Sequence, residues 1–316
     1  MYANKIVDFA QNAPFKCVRS FVIDNINYSY QTHKFLEYCK LSLAKKSYQC
    51  YQSRLKIFGE YLKIDLPVTE ITRKMIVNYT MYLAKKEYSK QYIKSHVIAI
   101  NCFFNYLIEN EITETSPAAK IKSIGIVKDC APAPFTKNDI EKLRNYLSEH
   151  NPTVWLAAQF LYYCAIRPGT ELRLLKISDI DFENGIIQIK SHNAKNRTTE
   201  NIVCPQILLQ QLIDLKYHKE KPDYFIFGKK GKPGQVAVSM NYFNKTFCTA
   251  RRKLGISEQC KFYSFKHTGI ITALQNGMHP FDVMAHCRHK KFETTENYIK
   301  KRTKIAKDNS QYFDTI

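Results

Sequence analysis

From Thr32 onward apolar residues recur at three- and four-residue spacing. Phe35, Leu36, Cys39, Leu41 and Leu43, and later Leu55, Phe58, Tyr61 and Leu62, follow the period of amphipathic helices. The same period predicts a helix over 71–85, capped by Thr72, and another over 89–110. The latter carries Ile93, Val97, Ile100, Phe103, Phe104 and Leu107, a stripe that must pack on something. Four helices without a strand predict a compact bundle of about 90 residues. Residues 1–27 are harder to read, with 18–23 as a short candidate strand.

Periodicity is lost over Thr115-Ser-Pro-Ala-Ala-Lys-Ile-Lys122 and up to Ala131-Pro-Ala-Pro134, which marks a linker. A helix restarts after Phe135, with Thr136 or Asn138 as its cap. The run from Pro152 to Cys164 is apolar on every side and reads as a buried helix. Arg167-Pro-Gly breaks it, and Thr170 is expected to start another helix. Residues 185–190 read as a strand and 201–204 as its partner, with Ser191-His-Asn-Ala-Lys-Asn-Arg-Thr-Thr-Glu200 as the hairpin loop between them. From about Ser239 the pattern is mostly helical. The fold class expected is mainly α, an α+β chain with a small antiparallel β-sheet.

Charge narrows the function classes. Lys and Arg number 48 against 28 Asp and Glu, a net charge of +20, and such a field draws polyanions. A ribosome-associated or membrane-surface protein would share that charge, but nucleic acid is the better match. Ten cysteines stand without a C-x-x-C pair and read as scattered core residues in a reducing cytosol. No stretch resembles a signal peptide or reaches the roughly 20 apolar residues of a membrane span. A cytoplasmic, nucleoid-associated protein with no membrane contact is expected.

No Asp/Glu/His cluster has metal-ligand spacing and no phosphate-binding G-x-x-x-x-G-K-[ST] loop occurs, which weighs against a two-metal nuclease and an ATP-driven motor. No metal and no cofactor are expected. Metal-free cleavage of a phosphodiester needs a side-chain nucleophile, cations for the charge growing on phosphate, and an acid for the leaving oxygen. From Ala285 to Lys307, Lys or Arg occupies 288, 290, 291, 300, 301, 302, 304 and 307, against acids at 293 and 296 only, and Tyr298 lies inside this run. A lone tyrosine among 21 carries little weight.

The order of the pieces carries more. Ala165-Ile-Arg-Pro-Gly-Thr-Glu171-Leu-Arg-Leu-Leu-Lys-Ile-Ser-Asp-Ile-Asp181 resembles the first box of the tyrosine recombinases, the phage integrase family: an Arg after a buried helix, a Glu four residues on, then Ser-Asp-Ile-Asp leading into the sheet. His289-Lys-Lys-Phe-Glu-Thr-Thr-Glu-Asn-Tyr298 resembles its final box, where a His precedes the nucleophilic Tyr by nine residues. Lys195 matches the family's β-hairpin lysine, with Lys190 as the nearby alternative. The second box departs from the family's His-x-x-Arg: in Cys260-Lys-Phe-Tyr263-Ser-Phe-Lys266-His267-Thr-Gly269, Tyr263 stands in the His place and Lys266 in the second Arg place. His267 is expected to point elsewhere.

The resemblance implies a domain plan: an N-terminal extension over 1–27, a helical SAM-like core-binding domain over 28–118, a linker over 119–134 and a catalytic domain over 135–316. It implies that Tyr298 attacks phosphorus to form a 3′-phosphotyrosyl link, that Arg167 and Lys266 neutralise the non-bridging oxygens, and that Lys195 protonates the leaving 5′-oxygen. His289 would hydrogen-bond a phosphate oxygen, Tyr263 would act as a weak base or hydrogen-bonding group, and Glu171 would orient Arg167 or support the fold. Lys for Arg keeps the charge but loses the planar fork, and a phenol is a poor base at neutral pH. The partners implied are double-stranded DNA clamped between the two halves, a homotetramer on paired sites whose tail after Tyr298 docks on a neighbour, and an accessory DNA-bending protein. A catalytically weakened or inactive DNA-binding relative and a type IB-like topoisomerase are the alternatives.

Overall fold

The computed structural model describes residues 25–122, 124, 125 and 132–302. The expected strand at 18–23, the middle of the linker and the tail beyond Arg302 lie outside these residues. The chain divides into two compact units between Asp129 and Cys130.

The first unit is built from α1 (Tyr28–Ser42), α2 (Lys45–Leu62), α3 (Arg73–Lys85) and α4 (Lys90–Glu109). The whole α4 stripe from Ile93 to Leu107 is buried, together with Phe35, Leu55, Phe58 and Tyr79 from the other helices. Thr72 caps α3 by accepting from the Met75 N–H at 3.3 Å, and Ser89 caps α4 through the Tyr92 N–H at 3.2 Å. Each such cap contributes about 1 kcal/mol. Two expectations are corrected. First, α1 begins at Tyr28 rather than near Thr32. Asp65, distant in sequence, accepts from the Ser29 N–H at 2.8 Å and its hydroxyl at 2.5 Å, a cap that local pattern does not reveal. Second, Leu41 is 90% exposed and Leu43 also faces outward. The buried face of α1 is Tyr28, Gln31, Phe35 and Cys39, and a residue two positions past Cys39 lies on the opposite side of the helix.

The second unit is mostly helical, with one small sheet. Its elements are α5 (Lys137–His150), α6 (Pro152–Cys164), β1 (Ile180–Asp181), β2 (Ile186–Ile189), β3 (Glu200–Val203), α7 (Gln206–Asp214), α8 (Tyr242–Lys253), α9 (Ser264–Gln275), α10 (Pro280–Cys287) and α11 (Phe292–Arg302). The strands are antiparallel in the order β1-β2-β3, with Ile187 opposite both Ile180 and Ile202. These three isoleucines and Ile189 are buried against the core. Thr136 caps α5 in a reciprocal box with Asp139.

The helix expected from Thr170 is instead a single π-helical turn, Pro168–Leu172. Pro168 and Gly169 do not sustain an α-helix, and the Leu172 N–H reaches back five residues to the Arg167 carbonyl at 3.0 Å. The apolar α6 forms the centre of the unit, and α9 packs along it. Their backbones touch at Gly269, where a Cβ would overlap the Tyr162 carbonyl oxygen. Ala in mid-helix is intrinsically about 0.5–1 kcal/mol better than Gly. Here the overlap is with backbone held inside another helix, so Gly269→Ala is expected to lower stability by about 1–3 kcal/mol. Urea unfolding of the two forms checks this.

Candidate active site

The site is built where α6 ends. Ala165 takes a left-handed conformation (φ 50°), which turns its carbonyl inward and aims the chain into the π turn. Inside that turn the Glu171 carboxylate folds back on Arg167. It accepts from the Arg167 backbone N–H at 3.0 Å and from Nη1 at 2.6 Å. Glu171 also accepts from Arg288 Nη2 at 3.0 Å. Its side chain is 1% exposed. Burial opposes its charge, yet Arg288 and the bonds from Arg167 outweigh that and hold the carboxyl below the usual carboxylate range.

Two cations meet at the Ala165 carbonyl. Lys266, on α9, donates through Nζ at 2.5 Å, and Arg288 through Nη2 at 3.1 Å. Lys266 is 1% exposed, and burial is the first cause of its pKa falling to about 8. Arg288 follows α10 in a left-handed conformation (φ 55°, ψ 47°) that carries its side chain into the interior. For a residue with a Cβ this backbone costs on the order of 1–2 kcal/mol, which the surrounding contacts must offset.

Tyr298 on α11 packs against Ala165, Ile270, Leu274, Val283 and Cys287. Its hydroxyl lies 2.8 Å from Nδ1 of His267. Burial first, then the neighbouring Tyr263 and Cys287, push the phenol above its ordinary pKa. Tyr263 and His267 are edge to face, ring centres 5.0 Å apart. Tyr263 is raised by burial while the charge of Arg167 pulls it back. His289 pairs through Nδ1 with Thr295 Oγ1 at 2.9 Å, and burial, then Lys266, Arg167 and Arg288, lower it to about 4.

Of the residues expected from sequence, Arg167, Glu171, Tyr263, Lys266, His289 and Tyr298 therefore come together. Lys266 sits behind the cluster with its ammonium on a backbone carbonyl. Lys195 is exposed in the hairpin loop, and no contact joins it to the cluster among the described residues. The loop itself is tied to the site on either side of it. The Thr170 hydroxyl donates to the Asn193 carbonyl at 2.7 Å, and Asn196 Nδ2 donates to the Arg288 carbonyl at 3.2 Å. The alternative, Lys190, is engaged by Asp179 at 2.6 Å.

Sequence reading missed Arg288, Thr295 and His267. Arg288 was one cation in a basic run, and Thr295 a small polar residue in a helix. For His267 the expectation of pointing elsewhere is overturned. It follows Tyr263 by four residues, so both lie on one face of the chain entering α9, and α11 packs against α9.

Residues 134–304 match the phage integrase family, and residues 28–123 match the phage integrase SAM-like domain. A relative is the tyrosine recombinase XerC of Rickettsia canadensis (strain McKiel), 24% identical over 262 residues, spanning 79% of this chain and 84% of that protein. Another is the tyrosine recombinase XerD of Halalkalibacterium halodurans, 21% identical over 286 residues, spanning 87% and 94%. Among solved structures, the Tn1549 transposon integrase in complex with circular intermediate DNA superposes with a TM-score of 0.71 at 14% identity, covering 86% of this chain and 95% of that one. A lambda integrase tetramer bound to a Holliday junction gives 0.72 at 16% identity, covering 90% and 81%. The family match extends over more than half of the chain and includes every residue of the cluster just described, so this chain belongs to the phage integrase family, the tyrosine-type site-specific recombinases.

Proposed function

We propose that the chain cuts and rejoins duplex DNA at a specific site through a 3′-phosphotyrosyl link on Tyr298, without metal or ATP. One observation carries this reading: the Tyr298 hydroxyl, α9 and the Arg167–Glu171–Arg288 network converge at the end of α6. Attack by Tyr298 exchanges one phosphodiester for another, so the bond energy is kept in the enzyme–DNA link. Arg167 holds the non-bridging oxygens, with its guanidinium aligned by Glu171. Lys266, from the buried side, adds positive potential rather than a direct grip. His289 donates to a phosphate oxygen, and Tyr263 supplies a hydrogen bond from the α9 side. Lys195 is the acid for the leaving 5′-oxygen, delivered by its hairpin.

In the domain plan that goes with this reading, 28–118 is the core-binding domain, 119–134 the linker and 135–316 the catalytic domain, the two domains each binding the duplex. Phosphate contacts from the +20 chain supply most of the affinity. A tetramer on paired sites, assisted by a DNA-bending protein in the cytoplasm, completes the picture. The solved relative that is a tetramer on a Holliday junction supports that assembly.

A nicked duplex that traps the cut strand tests the reading: a covalent protein–DNA adduct at the 3′-phosphate is expected. A protein that binds its site but forms no adduct would be the weakened relative instead, a reading favoured by the burial of Lys266 on the Ala165 carbonyl. Lys195→Ala is expected to slow adduct formation by about 10²–10⁴, the usual range for a general acid. Replacing the leaving 5′-oxygen with sulfur, which departs without protonation, should restore most of that rate in single-turnover assays.

A further inference from the structure

We infer that His267 is the proton acceptor for Tyr298. This rests on the recombinase reading and adds to it the group that activates the nucleophile. His267 Nδ1 is 2.8 Å from the phenolic oxygen, with the two rings 5.4 Å apart and inclined by 33°. That distance is within the reach required of a base for the proton it removes. With its own proton on Nε2, the imidazole presents Nδ1 as an acceptor to the Tyr298 hydroxyl.

The other groups of the cluster are committed elsewhere. His289 uses Nδ1 on Thr295 and, lowered to about 4, is a weak base. The Lys266 ammonium is held on the Ala165 carbonyl. Tyr263 is a phenol raised above its ordinary pKa, which leaves it protonated at neutral pH. The Glu171 carboxylate is occupied by Arg167 and Arg288. Tyr298 itself is raised by burial, so it keeps its proton until a base takes it.

In the cleavage step a Tyr298 oxygen lone pair forms the bond to phosphorus while the bond from phosphorus to the 5′-oxygen breaks. The phenolic proton passes to His267 Nδ1, giving an imidazolium, and the departing 5′-oxygen takes a proton from Lys195. Rejoining reverses each transfer: the imidazolium returns its proton to the phenolate as the 5′-hydroxyl attacks.

The test is single-turnover adduct formation on the nicked duplex, with the full chain and His267→Asn and His267→Gln variants. Asn keeps a hydrogen-bonding group near the Nδ1 position but cannot hold the proton. Both variants are expected to lose about 10²–10⁴ in rate, with DNA affinity and thermal midpoint close to the parent. The loss should persist on the duplex with a 5′-bridging sulfur, in contrast to Lys195→Ala. Near-parental rates in His267→Asn would overturn the inference, because a hydrogen bond alone would then suffice. So would rescue by the sulfur substrate, which would assign His267 to the leaving group. Loss of DNA affinity or of the thermal transition in both variants would assign it to packing between α9 and α11, again overturning it. If the parent chain forms no adduct, the recombinase reading itself fails. If the parent forms one and the variants match it, only the role of His267 does.

Discussion

Tyr298→Phe is expected to abolish covalent attachment to DNA while leaving DNA affinity and the fold intact. The substitution removes one oxygen and keeps the ring, and the ring makes the contacts with Ile270, Leu274, Val283 and Cys287. The stability cost is the hydroxyl's hydrogen bond to His267, about 1 kcal/mol. The kinetic cost is of a different order. Without a nucleophile there is no phosphotyrosyl link, and removal of a catalytic nucleophile elsewhere costs on the order of 10⁶ in rate. Denaturing electrophoresis of the reaction with the nicked duplex reads the adduct, and a titration of intact duplex reads affinity. Undiminished adduct would place the nucleophile on another residue.

Glu171→Ala is expected to have the largest effect on stability, about 3–5 kcal/mol, the range for stripping one partner from a buried ion pair. The carboxylate neutralises two guanidiniums at once. Arg288, with its side chain 5% exposed, would be left nearly dehydrated, with Glu200 at 3.7 Å from its Nε as the remaining carboxylate. Glu171→Gln, which keeps shape and part of the hydrogen bonding, should lose less. Chemical denaturation of the three forms checks the order. The sign of the pH dependence follows from the carboxyl being held below its ordinary value. The contribution is complete above the unfolded pKa of about 4.3 and fades only as acid is driven through the lower folded value. Parent and Glu171→Ala should therefore converge in strong acid.

Much of this was legible in the sequence. The α4 stripe, the Thr72 cap, the apolar α6 and the β2–β3 hairpin all express local periodicity and turn chemistry. Those signals depend on near neighbours, so the chain displays them in order. Two boxes around Arg167 and Tyr298 were readable because spacing within each is short. What escaped depends on contacts between distant segments. Asp65 caps α1 from beyond α2, and no pattern near Tyr28 announces it. The π turn at Pro168–Leu172 looked like a helix start because its composition past the glycine is that of a helix. Arg288 reads as one more cation because Lys290 and Lys291 follow it closely, and nothing local says that its backbone turns left-handed and inward. His267 was read through the motif rather than through the helix. Its position relative to Tyr263 was in the sequence all along, but the partner that gives that face its meaning, Tyr298, is 31 residues away.

The Ala165 carbonyl, shared by Lys266 and Arg288, ties the choice of side chain at one of these positions to the choice at the other. An arginine at 266 and the arginine at 288 would compete for one enclosed space. A guanidinium at 266 would bring a second planar fork to an acceptor that Arg288 already uses, in surroundings closed to solvent. Removing Arg288 alone would leave the Glu171 carboxylate with Arg167 as its one remaining guanidinium partner among the described residues. The two positions are therefore expected to be coupled, with Lys266→Arg in the presence of Arg288 overfilling the space. The effect of Lys266→Arg should therefore depend on which residue stands at 288.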